Sequence, residues 1–174
     1  MVNGAGFVIH SAVHMARPEL ACVLHTHTVA NNAVAMQEEG LLPLSQRACM
    51  LLDFVRYHDY EGVADNLEER ERIVRDLGED GRIIVLRNHG ALTVGRTIAE
   101  AFVWMYRFEM ASQYQVAGLS GVRPLHTLSD EGIAHVRAQG RRLLSTGGKA
   151  ECGRIEWPAL MRKLERERGT TYRT

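Results

Sequence analysis

Cys22-Val23-Leu24-His25-Thr26-His27 is a short apolar run that ends in two histidines one residue apart. In an extended strand side chains alternate between faces, so His25 and His27 point the same way, about 6–7 Å apart along the backbone. Two imidazoles on one face can converge on a single metal ion, whereas adjacent residues would point apart. The apolar residues ahead of them anchor the strand in a core and so set the direction of both rings. Thr28 then caps a helix predicted to run to Glu38, with Gly40 as its stop. A strand running straight into a helix puts the histidines at the strand's carboxyl end, where α/β proteins often build their sites.

Downstream, Arg82-Ile83-Ile84-Val85-Leu86 is a β-branched run of the kind found in a fully buried strand, and Ala91 to Gly95 reads as another. Asn88-His89-Gly90 breaks them apart. A histidine held in a tight break beside a glycine, which lets backbone approach closely, is well placed to be a third ligand. Upstream, Gly6 to Arg17 is predicted as a helix ended by Pro18, with His10 and His14 at i, i+4 on one face. Such a pair can bind metal, but the preferred reading is a hydrogen-bonded pair lining a helix face beside the site.

The rest of the chain supplies the frame. Phe54 to Tyr57 is a candidate strand in an irregular stretch from Leu41 to Glu61. Asn66 to Leu77 is an amphipathic helix, with Asn66 as cap, Leu67, Ile73, Val74 and Leu77 as its buried side, and its glutamates as a solvated face. Thr97 to Leu119 is the longest helix, with Ile98, Ala101, Phe102, Met105, Phe108, Met110 and Val116 as an apolar stripe facing core or a second subunit. Two further helices are expected over Ser129 to Leu144 and Ala159 to Arg168.

Composition sets outer bounds. With 174 residues, 45% hydrophobic and 24% charged, the chain has the make-up of one ordinary globular domain, residues 1–174. Lys plus Arg balances Asp plus Glu at 21 each, so no overall field recruits nucleic acid or an acidic membrane. Cys22, Cys49 and Cys152 are widely spaced and contain no CxxC, which argues against a disulfide framework and for a reducing cytoplasm. No apolar run approaches the roughly 18 residues that span a bilayer.

The segments FVIHSAVHMARPELACVLHTHT (7–28), LLPLSQRACMLL (41–52), YEGVADNLEERERIVRDLG (60–78), VLRNHGALTVGRTIAEAF (85–102) and WPALMRKLERERGTTYR (157–173) resemble the class II aldolase/adducin family over nearly the whole chain. The resemblance implies an α/β fold of three layers, α/β/α, with a largely antiparallel central sheet. It implies that His25, His27 and His89 hold a divalent transition metal, zinc first, with iron, cobalt, manganese or nickel as alternatives. It further implies a homo-oligomer, a tetramer in related enzymes, acting as lyase or isomerase on a small hydroxy-carbonyl, sugar-derived substrate through a metal-stabilised enediolate.

Two departures qualify that expectation. Related sugar-phosphate enzymes carry an acid/base carboxylate nineteen residues before the first histidine of the pair, and that position here is Gly6. Glycine cannot move a proton, so a base would come from elsewhere, with His10 and His14 as candidates. The family's amino-terminal strands and Gly-Asn phosphate loop also precede the point where this sequence starts, which reads as a truncated start. A non-catalytic, adducin-like interaction module is the alternative, and a metal-stabilised domain without turnover a third reading.

Overall fold

A computed structural model describes residues 4–62 and 67–173. In chain order the elements are α1 (Gly4–Ala16), β1 (Cys22–Thr26), α2 (Val29–Met36), α3 (Gln46–Leu51), β2 (Val55–His58), α4 (Glu69–Leu77), β3 (Ile83–Leu86), β4 (Gly90–Gly95), α5 (Ile98–Leu119), α6 (Asp130–Leu144) and α7 (Glu156–Arg168), with a final 3₁₀ turn at Thr171–Arg173. The strands form one sheet in the order β1-β4-β3-β2. Pairings β1·β4 and β4·β3 are antiparallel and β3·β2 is parallel, so the sheet is mixed but largely antiparallel.

The strands at the centre are buried on both faces, and the period-two alternation sorts their side chains into two cores. Ile83 and Val85 face one way, with Ala91, and pack against Val34 and Ala35 of α2, Leu51 of α3 and Trp104 and Phe108 of α5. Ile84, Leu86, Leu92 and Val94 face the other way, against Val8, Ile9 and Val13 of α1 and Ile73 and Leu77 of α4. Helices on both faces of a sheet make the three layers expected from the sequence. A sheet so covered needs apolar residues at every central position, which is why β3 shows a continuous aliphatic run.

Several helix starts follow from capping chemistry. The hydroxyls of Thr28, Ser45, Thr97 and Ser129 each accept from the backbone N–H three residues on, satisfying a donor with no partner inside the helix. The α5–α7 contact is aromatic, with Phe102 and Trp157 rings 5.5 Å apart and edge-on.

The structure corrects the sequence reading at three places. Helix α4 begins at Glu69 without a side-chain cap, and Asn66 lies outside the described residues. Leu67 is exposed, whereas Glu69, read as part of a solvated face, is 6% exposed. On α5 the buried apolar residues are Ala101, Val103, Trp104, Met105, Phe108 and Ala111, while Ile98 and Phe102 are exposed. The longest helix thus turns its Val103-Trp104 edge inward. Phe108, read as facing either core or a second subunit, is fully buried beneath the sheet. Its truncation to alanine would cost about 3–5 kcal/mol by the usual cost of emptying an aromatic core site.

Candidate metal centre

Strand register brings the three histidines together. In the β1·β4 ladder His25 opposes Leu92 and Thr26 opposes Ala91, so one further residue sets His27 beside Gly90, next to His89. His89 ends the three-residue loop of the β3–β4 hairpin, whose last strand pair is Leu86 with Gly90. Asn88 takes the left-handed conformation in that loop (φ 58°), which Asn tolerates better than most residues. The His89 N–H donates to the Leu86 carbonyl at 3.1 Å and closes the turn. A Cβ on Gly90 would stand 2.6 Å from the Thr26 carbonyl oxygen and 3.0 Å from His27 Cδ2. Glycine is therefore what lets the hairpin lie against the end of β1.

The rings meet edge-on, with centroids 4.6 Å apart for His25 and His27, 5.0 Å for His25 and His89, and 4.7 Å for His27 and His89. One nitrogen from each lies within 4.8 Å of the other two, and this is the one such grouping of His, Cys, Asp or Glu among the described residues. His25 Nδ1 is 2.9 Å from the Ala91 carbonyl oxygen, which accepts only, so Nδ1 carries the proton and Nε2 presents its lone pair. That Nε2 is 2.7 Å from His27 Nε2, which donates to it.

Burial disfavours a positive charge on two of the three rings. Burial pushes the His25 pKa down to about 4, against the pull of the Ala91 hydrogen bond and with smaller help from His89, His27 and His10. Burial, then His27, lowers His89 as well. Neutral imidazoles are the form that binds metal, and a backbone carbonyl fixing the tautomer of one ligand is the usual outer-sphere device. Three imidazoles of this disposition fit a borderline divalent ion. His27 is exposed, so such an ion would face solvent on one side.

His10 and His14 separate in role. His14 Nδ1 donates to the Leu20 carbonyl at 3.0 Å and ties α1 to the residue leading into β1. His10 is half-buried; burial lowers its pKa, with His14 adding to the effect, and its field reaches His25. Gly6 and His10 are one turn apart on α1, so they share a face.

One neighbouring group escaped the sequence reading. The Thr28 hydroxyl, directly after His27, donates to Glu109 Oε2 at 2.5 Å, and Gln113 Nε2 donates to Glu109 Oε1 at 2.7 Å. Glu109 shares α5 with Glu100 and Arg107, and nothing local in the sequence sets it apart.

A family model described as "Class II Aldolase and Adducin N-terminal domain" matches residues 1–116. A putative aldolase class 2 protein of Caulobacter vibrioides is 45% identical over 166 residues, covering 95% of this chain and 63% of its own. Human gamma-adducin is 37% identical over 173 residues, covering 94% of this chain and 24% of its own. The chain thus spans less than two thirds of the length of the relatives it matches. Among solved structures, an aldolase II superfamily protein from Pseudomonas syringae superposes with a TM-score of 0.86 at 44% identity, covering 99% of this chain and 66% of that one. An L-fuculose 1-phosphate aldolase from Glaciozyma antarctica PI12 superposes with a TM-score of 0.73 at 26% identity, covering 97% and 61%. Fold, register and these likenesses agree: the chain belongs to the class II aldolase/adducin family.

Proposed function

We propose that this chain carries the metal-dependent catalytic centre of a lyase or isomerase acting on a small hydroxy-carbonyl, sugar-derived substrate. The observation that carries the reading is the convergence of His25, His27 and His89 on one point that is open to solvent on the His27 side. A divalent ion held there, zinc first among the candidates, would supply electrophilic stabilisation of negative charge developing on a substrate carbonyl oxygen.

The chain's own residues would do the rest. His25 is oriented by Ala91, and the hairpin is pressed into place because residue 90 has no side chain. Gly6 stands where related enzymes place a carboxylate, so proton transfer falls to another group. His10 is the better candidate than His14: it lies one turn from Gly6 and within electrostatic reach of His25, whereas His14 is spent on the Leu20 carbonyl. A general base must reach its proton through a hydrogen bond or one water.

The test is turnover of a panel of short hydroxy-aldehydes and hydroxy-ketones by metal-loaded protein, followed as carbonyl release or epimer formation. His10→Ala is expected to lower kcat by about 10²–10⁴ while leaving bound metal unchanged. Activity indifferent to His10→Ala would remove it from the mechanism. Absence of turnover across the panel in metal-replete protein would favour the second reading, an adducin-like interaction domain, which the adducin relatives motivate. Exposed Val29, Ile98, Phe102 and Tyr106 are consistent with self-association, expected as a tetramer and checked by light scattering. A reducing, cytoplasmic setting is consistent with three free thiols. Among the described residues no helix is long and apolar enough to cross a membrane.

A further inference from the structure

A second concentration of titratable groups lies where β2 ends against α4. His58, the last residue of β2, is 3% exposed, and Glu69 on α4 is 6% exposed. His58 Nδ1 stands 2.7 Å from Asp76 Oδ2, so the carboxylate accepts the Nδ1 proton. On the other side of the ring, Nε2 is buried and makes no hydrogen bond. It faces Glu69 Oε1 at 3.5 Å and Glu61 Oε1 at 3.9 Å. With Nδ1 directed at Asp76, the buried Nε2 faces two carboxylates without a hydrogen bond to either. A buried ring nitrogen without a hydrogen bond is costly, and a cation bound between it and the carboxylates would supply the missing partner.

The spacings from Nε2 are longer than a hydrogen bond and near those between neighbouring ligands of one ion. Ion–ligand bonds of about 2.0–2.2 Å put neighbouring ligand atoms of a tetrahedral ion roughly 3.3–3.6 Å apart. The Nε2–Glu69 separation already falls there and Glu61 stands a few tenths of an ångström, roughly, beyond it from Nε2, while the two carboxylates lie farther from each other and would have to close on the ion. The grouping is looser than the His25, His27, His89 trio, which alone among the described residues gathers three ligand atoms within 4.8 Å. The outer sphere is in place, however. Asp76 orients the imidazole in the carboxylate–histidine manner typical of metal ligands. Arg72 Nε donates to Glu61 Oε1 at 2.7 Å, with a second contact from Nη2 to Oε2, which holds the Glu61 carboxyl below the usual range. Arg75 Nε donates to Asp76 Oδ1 at 3.0 Å.

We propose that His58 Nε2, Glu61 and Glu69 form a second divalent-cation site, structural in role, for an ion of the zinc or manganese class. The ion fastens the end of edge strand β2 to the first turn of α4. It takes no part in the chemistry proposed for the trio and does not depend on it.

Counting ions separates the two sites. Chelator-stripped full chain is titrated with Zn²⁺, desalted, and its bound zinc measured. Two ions per chain are expected in the unaltered protein, one in His58→Gln, one in His89→Ala, and none in the double variant. Glu69→Gln serves as the second probe if His58→Gln does not fold. In His89→Ala, zinc should raise the melting temperature, and that rise should vanish on adding His58→Gln or Glu69→Gln. A single ion lost in His89→Ala but kept in His58→Gln would overturn the proposal, the pocket then holding an imidazolium among carboxylates, and would leave the trio's reading intact. A zinc count unchanged by both His58→Gln and Glu69→Gln would overturn it equally. One ion lost only in the His58 or Glu69 variants would uphold this site and contradict the trio.

Discussion

Two histidine assemblies stand at the same end of one sheet, over opposite edge strands, and they are built on opposite principles. At the β1 edge three imidazoles face one another with no carboxylate among them, and their aim comes from backbone: a strand register, a three-residue hairpin loop and the Ala91 carbonyl. At the β2 edge a single buried imidazole is ringed by side-chain carboxylates, two of them from α4. The first is free of carboxylates, partly open and suited to an ion that must meet a substrate. The second is rich in carboxylates and buried at His58 and Glu69, suited to an ion that only holds structure. Structural sites close the ion in, whereas reactive ones keep a position open to solvent or substrate.

The comparison breaks most visibly at Gly90. Gly90→Val should push the hairpin off the Thr26 carbonyl, cost about 1–3 kcal/mol through overpacking, and abolish stoichiometric metal at the trio while leaving the His58 pocket intact. Zinc analysis together with a urea titration would show this; full metal content in the variant would mean that register, not close approach, sets the geometry. Asp76→Asn probes the other edge. Losing the outer-sphere carboxylate should weaken zinc at His58 by roughly 10–100-fold with no change at His25, read by competition against a chelator.

Acid should separate the edges as well. The unfolded chain titrates His25 near the ordinary value of about 6.5, whereas in the fold burial holds it at about 4. Between those values the unfolded state binds more protons, so metal-free protein loses stability as pH falls from about 6.5 toward about 4 and is indifferent to this group above that window. His25→Gln should flatten that limb of a plot of urea midpoint against pH; an unchanged limb would place its origin elsewhere. The smallest effect is expected at Thr28→Ala, which removes the α2 cap and the Glu109 contact. About 1 kcal/mol of stability should be lost, with metal content preserved.

The same contrast explains what could be read from sequence. The His25–His27 pair follows from a period-two strand, and His89 from a His-Gly break after a buried aliphatic run, so both signals are local. The three layers follow from the unbroken Ile83–Leu86 run, since a strand apolar on both faces must be covered on both. The His58 pocket joins a strand end to residues 69 and 76 across a helix, and periodicity alone sorts those acids onto a solvated face. Trp104 was missed for a related reason: α5 is apolar around most of its circumference, so its pattern does not say which edge turns inward. Phe102 and Phe108 are equally apolar in sequence, and only packing sends one to α7 and the other beneath the sheet.

The central claim is that His25, His27 and His89 hold one transition-metal ion. It is tested most directly by X-ray absorption at the metal edge on zinc-loaded His58→Gln protein, in which the trio is the only site expected to be filled. The account predicts about one ion per chain with a first shell of about three imidazole nitrogens near 2.0–2.1 Å plus lighter oxygen, lost in His58→Gln/His25→Ala. A shell dominated by carboxylate oxygen, or an ion that survives removal of His25, would contradict it.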